Sequence, residues 1–269
     1  EDRDMSFLYV ALVFTVVIGI HEAGHFLAAR WVGMKVEKFA IGLGPQWTWK
    51  SKDGTEDALG AIPLGGYVRI TGMDGKDRET PGHFYASPRW AQAFVLLAGV
   101  LANFLLAFGL ITVMMFLMPS DPKLPPPTFL EVMSASVEST LRLIVVMMQN
   151  PVDFIWNLFS FGATAPEGYN PTEQVAGPAG IAVAVTEAAN EGLLDLLWLT
   201  SLVSVAIAAF NLLPIPALDG GRLLFVGIEA ITNRPIPAKI NIVASLAGLA
   251  FVVVILVVGT IGDIGRLLN

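Results

Sequence analysis

Cysteine is absent from all 269 residues, which excludes disulfides and thiolate zinc sites, so any metal must be held by histidine or carboxylate. Histidine is scarce, with only His21, His25 and His83, and charged residues make up 14% of the chain. So little charge, beside 54% hydrophobic residues and a mean hydropathy of +0.65, excludes an ordinary soluble domain. Basic charge is short as well. A formal net charge of -7 leaves no footprint for nucleic acid or for a generally basic membrane-binding surface.

What the chain has instead is apolar sequence in long runs. Segments 7–29, 91–118, 193–213 and 240–261 each reach or approach the roughly 20 residues a helix needs to cross a bilayer. The first is a poor cleavable signal: Glu1 to Asp4 ahead of it are net acidic, and His21 stands where cleavage would fall. The fold class expected is therefore an all-α polytopic membrane protein, a single domain over 1–269 with four transmembrane helices. A weaker run at 141–161, broken by Gln149, Asn150, Pro151 and Asp153, predicts one or two interfacial amphipathic helices rather than a span. Pro119 to Phe129 is proline-rich and reads as an extended linker. The stretch from Ala58 to Thr71 mixes glycine and apolar residues without helical periodicity, which predicts a strand or hairpin. It either dips toward the membrane, with its backbone against protein or a cavity, or is an ordinary cytoplasmic hairpin.

Basic residues set the expected orientation. Nine of the sixteen lie between Arg30 and Arg89, and Arg222, Arg234 and Lys239 lie between the last two spans, whereas Pro119 to Gly192 holds only Lys123 and Arg142. Both basic loops are then cytoplasmic and both termini extracytoplasmic. In that topology the first and third spans finish on the same side of the bilayer, so His25 and Asp219 can meet.

The chemistry centres on His21-Glu22-Ala23-Gly24-His25. Histidines four apart share a helix face and can grip one divalent ion, with Glu22 beside them to take a proton from an activated water. His-Glu-x-x-His occurs by chance in unrelated proteins, but here it lies deep in a spanning segment, where ionisable groups are costly and functional by default. A catalytic zinc needs a third ligand. Position 31, where the extended soluble motif has histidine, is Trp31, and Glu37 lies in a solvated turn with Lys35 and Lys38. Asp219 is the stronger candidate, because Pro214 and Pro216 interrupt the third span near its end while Gly220 and Gly221 free the backbone to turn the carboxylate inward. The bland alternative is that Asp219 only caps a helix over 220–231. Asn103, in the second span, either bonds a neighbouring helix or faces the site. His83 reads as a solvent-exposed loop residue unrelated to the metal.

Together these residues resemble the site-2 protease family of intramembrane zinc metalloproteases, most closely its RseP-like bacterial branch. The resemblance rests on His21 to His25, Phe39 to Gly44, Gly60 to Val68, Ala98 to Asn103 and the stretch from about Gly177 to Glu229, which contains Asn211, Pro214 and Leu218-Asp219-Gly220. It implies Zn2+ held by His21, His25 and Asp219, Glu22 as general base, Asn211 near the substrate backbone, and a membrane-reentrant β element at Ile62 to Ile70. Leu64, Gly65, Gly66 and Tyr67 would then touch substrate by edge pairing, with Asn103 a further candidate. It also implies regulated intramembrane proteolysis of single-pass transmembrane proteins, such as anti-sigma factors or signal-peptide remnants, in a bacterial inner membrane. Such proteases normally carry one or two PDZ domains between their second and third spans; one of usual size does not fit in Pro119 to Gly192, so either this is a branch without one or the domain has been removed from this sequence. A metal transporter or metal-sensing receptor using the same ligands is the rival reading. It would need further polar groups along a path through the bilayer, and the second and fourth spans offer almost none besides Asn103.

Overall fold

A computed structural model describes residues 2–75, 77–118, 126–149 and 178–267. Its elements in order are α1 (Asp2–Trp31), β1 (Val36–Lys50), β2 (Glu56–Ile70), α2 (Arg89–Leu117), α3 (Phe129–Gln149), α4 (Pro178–Glu191), α5 (Leu193–Asn211), α6 (Asp219–Thr232) and α7 (Ala238–Leu267). Four of the helices, α1, α2, α5 and α7, are long and apolar enough to cross a membrane. They coincide with the four expected runs.

Small residues set how the spans pack. A Cβ at Gly24 of α1 would meet the Ala98 carbonyl at 2.5 Å and the Ala102 methyl at 2.8 Å, so α1 and α2 approach backbone to backbone. One apolar core joins Ala28, Ala29, Val36, Ile70, Phe84, Val95, Leu96 and Val226 at the basic end of the bundle. A second joins Val13 and Val17 of α1 to Val185 of α4 and Val203 of α5.

The sheet is larger than the single stretch expected from the sequence. β1 and β2 form an antiparallel hairpin. Lys38, Phe39, Ala40 and Ile41 each have two partners, one from 66–69 and one from 56–59, because the hairpin folds over on itself. Left-handed glycines at Gly42, Gly44 and Gly65 make that fold possible, with φ of +83°, +80° and +87°. β2 packs directly on α1. The 66–69 stretch pairs with β1 on one side, and among the described residues no strand takes its other edge.

The segment after α2 departs from expectation. α3 begins at Phe129, twelve residues before the apolar run at 141–161, because Thr128 and Glu131 form a reciprocal capping box: the Thr128 amide and hydroxyl each donate to Glu131 at 2.8 Å, and the Glu131 amide donates to Thr128 Oγ1 at 3.3 Å. The remainder of that run, 150–161, lies outside the described residues, as does the greater part of the proline-rich linker.

A polar clamp holds α6 to the basic end. Glu229 is 1% exposed and receives Arg78 through both carboxylate oxygens at 2.8 and 3.1 Å, Arg89 at 2.6 Å, and the Ile236 amide at 2.8 Å. The Arg78 guanidinium also lies 4.2 Å from the centre of the Tyr85 ring. Burial alone would raise the Glu229 carboxyl, but these hydrogen bonds and positive charges outweigh it and hold it below the usual carboxylate range. His83 differs from expectation too. Its side chain is 16% exposed and sits 3.3 Å from the Asp77 carboxylate, because it packs over Gly72 rather than pointing into solvent.

Candidate metal centre

His21 and His25 lie one turn apart on α1 and are both buried. Their Nε2 atoms are 3.2 Å from each other, and each meets Asp219 Oδ2, at 3.1 Å from His21 and 3.0 Å from His25. The three residues form one group able to hold a metal ion. Glu37, exposed on β1, is not part of it.

The turn before α6 delivers the carboxylate. α5 stops at Asn211, and the Leu213 amide bonds back to Phe210, the Ile215 amide to Leu213 at 2.7 Å, and the Leu218 amide to Ile215 at 2.8 Å. Pro214 and Pro216 cannot donate backbone hydrogen bonds, so the chain leaves the helix there. Asp219 then opens α6, where a negative charge is favoured by the helix dipole. Gly220 and Gly221 serve a different purpose from the one read in the sequence. Both are helical, not left-handed. A Cβ on Gly220 would collide with the Leu212 carbonyl, and one on Gly221 with the Ile215 carbonyl, so the glycines let α6 nest against the turn and bring Asp219 to the imidazoles.

The donor set suits zinc. Bonds of roughly 2.0–2.1 Å in a tetrahedron separate neighbouring ligand atoms by roughly 3.3–3.4 Å, close to the 3.0–3.2 Å found here. Tautomer chemistry agrees with the spacing. His25 Nδ1 donates to the Val95 carbonyl at 2.8 Å, so in the neutral ring Nε2 presents a lone pair to a carboxylate oxygen. Two facing lone pairs repel, and a cation between them removes the conflict.

Glu22 stands beside the cluster. The strand stretch 66–69 borders its side chain: a Cβ on Gly66 would lie 3.2 Å from its Cγ. Gly66 and Tyr67, singled out from the sequence, therefore belong to the strand stretch that borders Glu22. Gly65 lies at the preceding bend against Leu43, and the Leu64 side chain is outside the described residues. Asn211 Nδ2 donates to the Ile207 carbonyl at 3.0 Å, within its own helix. Asn103 is fully buried, and its backbone carbonyl accepts from Ser204 Oγ of α5 at 2.9 Å.

Sequence reasoning missed Gly99. On α2, a Cβ at this position would collide with His25 Nε2 and come within 2.9 Å of His21 Cε1, so only glycine leaves room for the two imidazoles. A glycine inside an apolar run carries no periodic mark; its place one turn before Asn103 is the one signal that could have found it.

Comparison with known proteins gives concordant results. A family model described as peptidase family M50 matches residues 9–255. The chain is 25% identical to a putative zinc metalloprotease of Rhizobium meliloti, over 97% of this chain and 96% of that protein. It is 26% identical to the metalloprotease MmpA of Caulobacter vibrioides, over 96% of each. A putative zinc metalloprotease of Chlamydia trachomatis is 43% identical across 41% of this chain and 20% of its own length. The Rhizobium alignment runs over 366 positions, well beyond the 269 residues here, so that relative carries inserted residues with no counterpart in this chain.

Proposed function

The chain belongs to peptidase family M50 and is a multi-pass membrane zinc metalloprotease; from that premise we propose that it hydrolyses peptide bonds within the transmembrane segments of single-pass membrane proteins. His21, His25 and Asp219 hold the zinc in this reading, and Glu22 is the general base. The observation that carries it is the meeting of three ligand atoms from opposite ends of the chain, beside a carboxylate, in the inner part of a spanning helix.

When bound, zinc supplies Lewis acidity, which acidifies a water and polarises a carbonyl. The chain's own residues do the rest. Glu22 takes the proton of the attacking water and returns it to the leaving amine nitrogen. A helix hides its carbonyls, so a substrate must unwind before attack, and the unpaired edge of 66–69 offers main-chain partners for the freed strand. Such pairing reads backbone rather than side chains, which suits varied substrates. Leu64 to Tyr67 form that reentrant platform, and Asn211 holds the substrate backbone at the end of α5.

The basic residues between α1 and α2, and those from Arg222 of α6 through Arg234 to Lys239 at the start of α7, support a bacterial inner-membrane topology with both termini extracytoplasmic. Because cysteine is absent, single introduced cysteines can be labelled from either side without background. The spans and the hairpin act together as one catalytic domain.

The test is purified protein in detergent with a transmembrane peptide reporter and measured metal content. Glu22→Gln should keep one zinc and lose cleavage, and Asp219→Ala should lose both. One bound zinc with no hydrolysis of any membrane peptide by the wild type would favour a transporter or receptor instead.

A further inference from the structure

The two histidines of the cluster are not equally supported. His25 gives Nδ1–H to Val95, whereas His21 Nδ1 is buried without a partner. A metal-ligating imidazole ordinarily donates its far N–H to an acceptor, which fixes the tautomer and the ring. A buried N–H left without an acceptor is a net cost to the fold.

A second unpartnered group lies one turn away. Both polar side-chain atoms of Asn103 are enclosed without a hydrogen bond, and the residue is 0% exposed. α1 and α2 run in opposite directions: His25 meets Val95, and His21 meets Gly99. Asn103 follows Gly99 by one turn on the same face of α2. Helical side chains lean toward the N-terminus of their own helix. Asn103 therefore leans back over Gly99, which has no side chain to fill the space, while His21 on the antiparallel helix leans toward Asn103. The Ser204 hydroxyl occupies the Asn103 backbone carbonyl at 2.9 Å, anchoring the main chain and leaving the carboxamide free to turn.

We propose that Asn103 is a positioning residue for the metal centre: its carboxamide oxygen accepts the Nδ1–H of His21 and holds the imidazole with Nε2 toward the zinc. This rests on the reading of His21 as a zinc ligand. Asn103 supplies on α2, through its side chain, the acceptor that Val95 supplies to His25 through its backbone carbonyl.

The experiment is a zinc titration of full-length protein in detergent against a competing chromophoric chelator. Wild type is compared with Asn103→Leu, Asn103→Asp and His21→Ala, each first checked as a single species by size exclusion. Asn103→Leu keeps the branching at Cγ but has no acceptor, and should weaken zinc binding about 10- to 100-fold. Asn103→Asp keeps an acceptor and should stay within about threefold of wild type, in line with the carboxylate–histidine pairs found around zinc. A packing role would give the reverse order, with Leu tolerated and a buried carboxylate harmful. If Asn103→Leu does not elute as one species, Asn103→Ala makes the same comparison. Wild-type zinc affinity in the Leu or Ala variant overturns the proposal, and if KM for a membrane peptide rises at the same time, Asn103 is a substrate contact. Unchanged affinity in His21→Ala would instead remove the zinc-ligand reading itself.

Discussion

α2 and α7 are nearly equal in length and apolar content, yet 44% of the apolar stretch of α2 is buried and only 17% of that of α7. The difference lies in which residues face inward. α2 turns Ala91, Gly99, Asn103 and Ala107 to its neighbours, so α1 and α5 close around it. α7 leaves Leu246, Leu249, Val254 and Val257 exposed, an apolar face that suits lipid. It is attached at a few points: Asn241 to the Tyr85 hydroxyl at 2.9 Å, Ser245 to the Pro216 carbonyl at 3.3 Å, Gly248 against Ala217, and Asp263 to the Gly180 amide at 2.7 Å. One helix shapes the metal centre through close backbone approach. The other is fastened at intervals to the turn that presents Asp219 and to α4. Close packing is concentrated around His21, His25 and Asp219, and the periphery is fastened more sparsely.

The comparison is broken most severely at Gly99. Gly99→Ala puts a methyl on the His25 ring, and should abolish zinc binding by chelator titration. Glu22→Gln, beside the same contact, should lower peptide cleavage by about 10²–10⁴-fold, the usual worth of a positioned base, with zinc content unchanged. Next comes the clamp between α2 and α6. Glu229→Ala leaves Arg78 and Arg89 facing each other and should cost about 2–3 kcal/mol by thermal unfolding in detergent. Its pH dependence follows from the direction of the shift. The folded carboxyl titrates below its unfolded value, so the contribution is full above the ordinary carboxylate range and is lost as pH falls through the folded value. Wild type should lose its advantage over Glu229→Ala only in that acid window. The smallest effect belongs to α7. Asp263→Asn should cost about 0.5–1 kcal/mol and leave zinc affinity as in wild type. A loss of zinc there comparable to that of Gly99→Ala would erase the distinction between the two helices.

Much of this was legible in the sequence because the bilayer imposes long runs and because metal chemistry imposes spacing. The four spans stood out by length alone. Asp219 was reachable only by combining the prolines before it with a topology that puts the ends of α1 and α5 on one side. What could not be read depends on contacts between distant residues. β1 was hidden because its residues pair with two separate stretches of β2, so no single alternation runs through it. Glu229 reads as one more charge on an amphipathic helix until Arg78 and Arg89 arrive from the other loop. The collisions avoided at Gly99, Gly220 and Gly221 exist only after the helices are placed.

Asp219 and His21 are separated by 198 positions in the chain. An ion shared by them ties a loop of that span, and by the entropy of ring closure such a tie is worth at most about 5 kcal/mol, less in a bilayer that already aligns the helices. A polypeptide with no thiol to oxidise would thus own a covalent-like staple of another kind, one that a chelator can undo and that metal supply in the cell can fasten.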